Sequence, residues 1–540
     1  MAQRVTVKLG FPLQGVSDAW ARAKQPPQTT PSALNVLPYD RDFRMRGAQR
    51  PGTSKLYQSA MGNGPVQCLL QATWIDSNGA PVESLIAVSA GGIYVDGSLI
   101  TNSGASLSAT AQVHGCVGAG NVAFFVDGTQ VIKKLTLAGT SGAPTHSIAD
   151  HAATEGSLPT ADLTVKIATC CIWRDRLVLA SPKHLWFMSR QGDYGDWDTA
   201  ALDPAAAITG QTAIGVTTGA ISDAIVSLMP WSEDVLLVGH DRRITKFLGD
   251  PRDGGSILDL TAGTGVVGPK AWCIAPDKRM WIVGSGGLYV FDGTNVQPIS
   301  AENYPSYFLT INRSTHSIHL TWDRDRQGLW LFVTPTATAS ATHLFYDVRQ
   351  GGFWPMQFPN SHGPTAVLVY DGDAPNDRRI LLGGRTGYVQ KILDTATTDD
   401  GTFITNYVYL GPIQPDETQT KLIEAVFGLG EIPGGFGAED NWNFGYTLQC
   451  GEDAYTALSS PTQTQSSTFR TGGRQGPIGV RMTDRVFFVK VSNDSYIVTE
   501  NGIKTVWSSG QSYSGSGTVS YTFWSLEEVV LTFVRAGRER

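Results

Sequence analysis

Short apolar runs, each broken by a Gly-rich turn and followed by a second run, recur along the middle of this chain. Three copies stand out: residues 86–97 (IAVSAGGIYVDG), 282–293 (IVGSGGLYVFDG) and 380–392 (ILLGGRTGYVQKI). Each reads as an apolar strand, a turn, and a strand carrying Tyr just after the turn. Residues 177–189 (LVLASPKHLWFMS), 235–247 (VLLVGHDRRITKF) and 123–135 (AFFVDGTQVIKKL) repeat the pattern with other turn residues. LWLFV at 329–333 followed by HLFYD at 343–347 repeats it across a longer linker. Asp-Gly and Gly-Gly between apolar runs favour tight hairpins, because type I′ turns need positive φ at both central residues. Hairpins returning every roughly 30 to 60 residues bracket the spacing of propeller blades. The pattern predicts a mainly β chain with a six- or seven-bladed β-propeller over residues 61–395.

Within that region, residues 136–162 and 203–222 are polar and rich in Ala, Thr and Gly, and they read as long loops on blade rims. Outside it the pattern changes. Residues 1–60 combine a short strand at 4–9, a Pro-rich stretch and a basic loop at 35–52. Residues 396–540 alternate apolar and polar positions over several runs, among them KLIEAVFGLG, RVFFVKVS and EVVLTFVRAG. These are half-buried strands of a sandwich-like domain. Neither end can build a large core alone, so the N-terminal strand is expected to join the C-terminal sheet in one platform.

Composition narrows the function. The 540 residues include 60 Gly and 14 Trp, which suits turn-dense β-structure. Net charge is -7, and the chain has no Lys/Arg block of the kind a sequence-specific DNA binder shows. The six cysteines form no CxxC, which points to free thiols in a reducing cytoplasm. The first 20 residues do not resemble a signal peptide, and no stretch approaches the roughly 20 apolar residues of a membrane span.

Three segments, in order, resemble the tail nozzle or tail hub proteins of short-tailed bacteriophages (the stabilisation, or tail tubular protein B-like, family). NVLPYDRDFRMRGAQRPGTSKLY at 35–57 resembles the family's opening, with its Asn-Val-x-Pro and Arg-Pro-Gly. DRLVLASPKHLWFMSRQGDYGDWD at 175–198 is similar to its mid-propeller segment, and FWSLEEVVLTFVRAGRER at 523–540 to its final strand. The resemblance implies a structural virion protein made in the host cytoplasm and built into the tail as a ring, usually a hexamer, below the portal and head–tail adaptor. Such a ring extends the DNA ejection channel and contacts fibres and the needle or plug. A lumen poor in basic residues suits sliding duplex, since Lys and Arg on phosphates would release counterions and grip it.

The candidate interface is basic. Arg41, Arg44, Arg46 and Arg50 form the densest patch, interrupted by Asp40, Asp42 and Phe43. It reads either as a solvated loop or as an arm onto a neighbouring subunit or the adaptor, where Arg forks suit polar contacts. Arg535, Arg538 and Arg540 carry the same alternatives, the duller being a disordered tail.

No catalytic residue, metal site or cofactor motif emerges. SRQGDYGDW at 189–197 approaches a sialidase Asp-box but misplaces its Trp and Ser, and it reads as a turn. His316 and His319 precede a strand hairpin, a setting in which their spacing puts them on opposite faces. The run Asp323-Arg324-Asp325-Arg326 reads as solvated loop charge. Two alternatives remain: a carbohydrate-binding or glycan-degrading propeller, and a receptor-binding tail adhesin.

Overall fold

The computed structural model describes residues 4–535 except 41, 102–105, 159–166, 182–183, 212–222, 301–303, 373–377, 430–443, 470–473, 494, 501–502, 509–517 and 521–523. Seven antiparallel sheets follow one another along the chain, and they are the blades of a propeller. Their first strands are Val66–Ile75, His114–Gly118, Thr169–Trp173, Ile225–Pro230, Trp272–Ile274, His316–Asp323 and Ala366–Tyr370. The seventh of these returns to lie beside the first and closes the ring.

Each hairpin legible in the sequence forms the second and third strands of one blade. In the first blade, Pro81–Ser89 turns into Gly92–Val95 through Ala90 and Gly91, with φ of +49° and +79°. The following Asp96-Gly97 turn has φ of +48° and +82°, the left-handed pair a type I′ turn requires. Second strands read as unbroken apolar runs because both of their faces are buried between blades. In Val235–His240, Val235 and Leu237 pack toward blade five, while Leu236 and Val238 pack toward blade three. The same split places Leu177 and Leu179 against blade two, and Val178 and Ala180 against blade four.

Two of the segments expected to be loops contain strands. Ser147–Asp150 is the outer strand of blade two, and Ile208–Gln211 that of blade three. Outer strands carry few apolar residues because one face meets solvent, so they leave little periodic signal.

The seventh blade takes its fourth strand from the N-terminal segment. Gly52–Lys55 pairs antiparallel with Val389–Leu393, with Thr53 opposite Ile392 and Gly52 opposite Leu393. Its other edge meets Thr398–Asp399 in parallel. A Cβ on Gly52 would run into the backbone carbonyl of Thr398, so only glycine lets the closing strand seat.

Both chain ends build a two-sheet platform. In one sheet Ser525–Arg535 is flanked by Thr420–Leu429 on one edge, and by Arg4–Gly10 and Gly47–Gln49 on the other. The second sheet runs Ala33–Leu34, Asn406–Ile413, Val486–Asn493, Phe444–Gly451, Gln463–Thr468. The sheets face each other through ring pairs, with Phe427 stacked on Tyr446 at 4.9 Å and Phe487 edge-on to Phe533 at 5.1 Å. This core continues into blades six and seven, where Phe11 of the N-terminal segment stacks on the buried Trp354 at 5.4 Å.

Turns between strands are held by carboxylates. Asp127 accepts the amides of Ser108, Thr129 and Gln130 at 2.7–2.8 Å. Burial pushes its carboxyl up, but these amides outweigh it and hold the pKa below the ordinary value. Its contribution to stability is therefore complete above about pH 4 and disappears as pH falls through the lower folded value. Asp127→Ala is expected to cost about 1–2 kcal/mol at neutral pH. Urea midpoints below pH 4 should fall less steeply in Asp127→Asn than in the wild type.

Candidate interface between platform and propeller

The basic loop leaves the platform at Val36–Leu37, returns through Gly47–Gln49 and continues directly into the closing strand of blade seven. Arg50 lies at that passage and is fully buried. Its guanidinium forks onto Asp399 at 2.9 and 2.5 Å. Nε donates to Asn35 Oδ1 at 3.0 Å, and the remaining donors reach the carbonyls of Pro51 and Gln357. The ring of Phe358 lies 4.0 Å from the guanidinium carbon. Every donor is used within the chain, so Arg50 presents nothing to a second subunit. As an intersubunit candidate it is corrected: it clamps the platform to blades six and seven.

Beside this clamp, the Tyr39 hydroxyl donates to Asp347, and Arg349 stacks on the Tyr39 ring at 4.2 Å. Burial, reinforced by Asp347, pushes the phenol above its usual range, and burial also raises the Asp347 carboxyl. Asp40 folds the loop on itself by accepting the amides of Asp42 and Arg44, each at 2.9 Å. Arg46 is half-buried between Asp40 at 2.5 Å and Glu527 at 2.8 Å, which ties the loop to the last platform strand.

Arg44 remains outside, more than half exposed and loosely paired with Asp42 at 3.5 Å. Phe43 and Met45 flank it at 39% and 51% exposure. Arg44, Met45 and Arg46 edge a groove of about 870 Å³ whose other walls are residues 8–13, 25–29 and 410–412 with Glu527. Arg535 is exposed and pairs with Asp416 at 2.6 Å. Arg41 and Arg538 lie outside the described residues.

Other sequence candidates resolve as structural groups. Asp193 accepts the Gly195 amide and Asp196 the Asp198 amide, both at 2.8 Å, so residues 189–197 form a turn. His316 and His319 lie within the first strand of blade six, and His319 Nε2 bonds the Thr365 carbonyl at 2.9 Å. The run 323–326 is only partly solvated. Asp323 and Arg326 are buried and paired at 3.2 Å, with Arg326 also reaching Asp394, while Arg324 stays outside and pairs with Asp371. Asp394, Asp399 and Asp347 supply the counter-charges for this junction, and no motif in the sequence marked them. Among the described residues, no group of three or more His, Cys, Asp or Glu is placed to hold a metal. No helix among them is long and apolar enough to cross a membrane.

The chain is thus a seven-bladed β-propeller protein with a two-sheet platform made from both chain ends. No protein-family model matches it, and no curated protein does. Among solved structures, it is similar to the extracellular domain of the putative hybrid two-component system BT3049 from B. thetaiotaomicron, at 10% identity and a TM-score of 0.42. That overlay covers 79% of this chain and 49% of the other, so the chain spans about half of that neighbour's length. Virginiamycin B lyase from Staphylococcus aureus overlays at 12% identity and TM-score 0.39, covering 63% of this chain and 97% of the lyase. The WD40 propeller domain of Doa1 overlays at 10% and 0.36, covering 64% and 96%. These overlays are loose, and the blade assignment rests on the seven sheets themselves.

Proposed function

We propose that this chain is a structural, non-enzymatic subunit of a short-tailed phage tail, the nozzle or hub that rings the DNA exit channel below the portal and adaptor. The observation that carries the reading is the meeting of two family-like segments distant in sequence. Val36–Leu37 and Gly47–Gln49 of the first and Ser525–Arg535 of the last come together in one platform sheet, where Gly47 pairs with Leu526, Ala48 with Ser525, and Arg46 bridges to Glu527. The platform is fastened internally by Arg50, which leaves Arg44 and Met45 at the groove, with Phe43 half-exposed over Arg326 beside them, as the arm toward a neighbour. Apolar side chains flanking an arginine are the usual make-up of an interface core. The -7 charge per subunit, repeated around a ring, disfavours gripping of DNA phosphates. Fibres and the needle or plug would dock on the outer and lower faces of such a ring.

Native mass spectrometry with negative-stain imaging tests this. The expected result is a closed ring of about six subunits with a hole wide enough for duplex DNA. The double variant Phe43→Ser/Met45→Glu should give protomers at concentrations where the wild type is assembled, with an unfolding midpoint within about 0.5 kcal/mol of the protomer's own, since both side chains are surface-exposed. A chain that stays monomeric even with the adaptor present, and that binds or cleaves glycans, would replace this reading with a propeller lectin or hydrolase.

A further inference from the structure

A pocket of about 550 Å³ opens between blades two and three, and the turn at residues 189–197 forms one of its walls. The other walls are the 119–120 turn and Lys134 of blade two, residues 150–154 after that blade's outer strand, and Asp175 of blade three. Backbone pairing fixes these walls to one another. Glu155 and Gly156 pair in parallel with Asp196 and Trp197, and the Thr154 amide donates to the Gly195 carbonyl at 2.7 Å. The Tyr194 hydroxyl accepts the Ala119 amide at 3.0 Å and donates to Asp175 at 3.1 Å, so its ring is tied to both blades.

His151 is the decisive group. It lines the pocket at 5% exposure, with its ring edge-on to Phe124 at 5.1 Å. Nε2 lies 2.9 Å from the Tyr194 carbonyl, which can only accept, so Nε2 carries the proton. Burial pushes the imidazole below its ordinary value, with Lys134 adding to the shift, and the neutral ring leaves Nδ1 as an acceptor. No described residue partners that nitrogen. Lys134 is half-buried, and its ammonium makes no ion pair or hydrogen bond with any described residue. Asp175 and Asp193 each spend one oxygen within the chain, on the Tyr194 hydroxyl and the Gly195 amide. Their second oxygens have no partner among the described residues.

We propose that this pocket binds a neutral saccharide, held by His151, Lys134, Asp175 and Asp193. The free groups are of opposite kinds. Two carboxylate oxygens and an imidazole lone pair need donors, while an ammonium needs an acceptor. A hydroxyl both donates and accepts, and a sugar ring presents several side by side. A simple anion would face two carboxylates, and a cation would face the Lys134 ammonium. The half-buried Tyr194 ring adds an aromatic wall for the C–H face of a sugar, and the volume lies within the range of small-ligand sites. The inference rests on the propeller alone. A ring that also binds saccharide satisfies both readings, and failure of the ring leaves this one standing.

Saturation-transfer NMR on the full chain tests the site, with mono- and disaccharides of glucose, galactose, mannose, N-acetylglucosamine and rhamnose as probes. At least one probe is expected to bind saturably. Lys134→Met and the double variant Asp175→Asn/Asp193→Asn should each weaken its Kd by about tenfold or more, the loss that follows removal of a charged hydrogen bond. Asparagine keeps an oxygen for the Tyr194 hydroxyl and the Gly195 amide, so the double variant retains the turn. In the wild-type chain the His151 ring resonances should move as that probe is added, a readout that needs no variant. Absence of saturable binding by every probe would overturn the proposal, as would equal affinity in wild type and both variants or His151 resonances indifferent to the probe. Preference for inorganic phosphate or putrescine over every saccharide would overturn it too.

Discussion

Arg50→Met is expected to lower the stability of the chain by about 3–5 kcal/mol, because it strips the counter-charge from a carboxylate that stays buried. Asp399 is 1% exposed, and Arg50 donates both of its forked hydrogen bonds. Asn35 and the carbonyl of Gln357 lose donors in the same step. Arg50→Lys should recover little, since a single ammonium cannot span Asp399, Asn35 and two carbonyls at once. Arg50→Met/Asp399→Leu should recover a large part, because replacing both partners by apolar groups leaves no orphaned charge. Urea unfolding followed by tryptophan fluorescence decides the matter. Single-variant midpoints within about 0.5 kcal/mol of wild type would mean that the clamp does not hold platform and propeller together.

The second large effect is acid lability between pH 6.5 and 4. Burial drives His114 and His343 down to about 3, and His240 and His319 to about 4. His343 Nδ1 accepts the Val333 amide at 3.1 Å, and a proton there would displace that bond. Each imidazole is neutral when folded and titrates near 6.5 when unfolded. The unfolded chain therefore binds more protons below pH 6.5, and the stability present above that value is lost as pH falls toward the folded pKa. Each group contributes about 1.4 kcal/mol per pH unit in that window, so four together remove about 8 kcal/mol by pH 5. That is comparable with the whole stability of a typical domain. Urea midpoints at pH 7.5, 6, 5 and 4.5 measure the slope. His240→Gln and His343→Gln should each flatten it, and a stability unchanged from pH 7.5 to 5 would contradict the burial of these rings as neutral bases.

The propeller was readable because second strands are enclosed on both faces. Runs such as VLLV at 235–238 are unbroken for that reason, and the Gly-containing tips fix the turns between them. Seven such hairpins were visible, and seven blades result. The outer strands at 147–150 and 208–211 were hidden because solvent takes one side and little apolar pattern remains. The crossing of Gly52–Lys55 from the N-terminal segment into the last blade was also hidden, since four residues of GTSK carry no periodicity. The arginine loop was legible as a patch, but its chemistry was not. Arg50 and Asp399 are 349 residues apart, and nothing in either local sequence names the other.

The pairing of Arg4–Gly10 with Ser525–Arg535 has a consequence for synthesis. On the ribosome the first strand emerges with its partner still to be translated, and Gly52–Lys55 likewise waits for Val389–Leu393. Blades one to six can stack as they appear, each burying its faces against the one before. The ring can close once Val389–Leu393 has emerged, and the platform only later, when Ser525–Arg535 meets Arg4–Gly10. Until then several strand edges and the apolar faces of the outermost blades stay open, which makes the nascent chain vulnerable to aggregation. Chaperone protection would be needed most in that interval, and a ribosome stalled before Ser525–Arg535 emerged would leave a chain unable to close its platform.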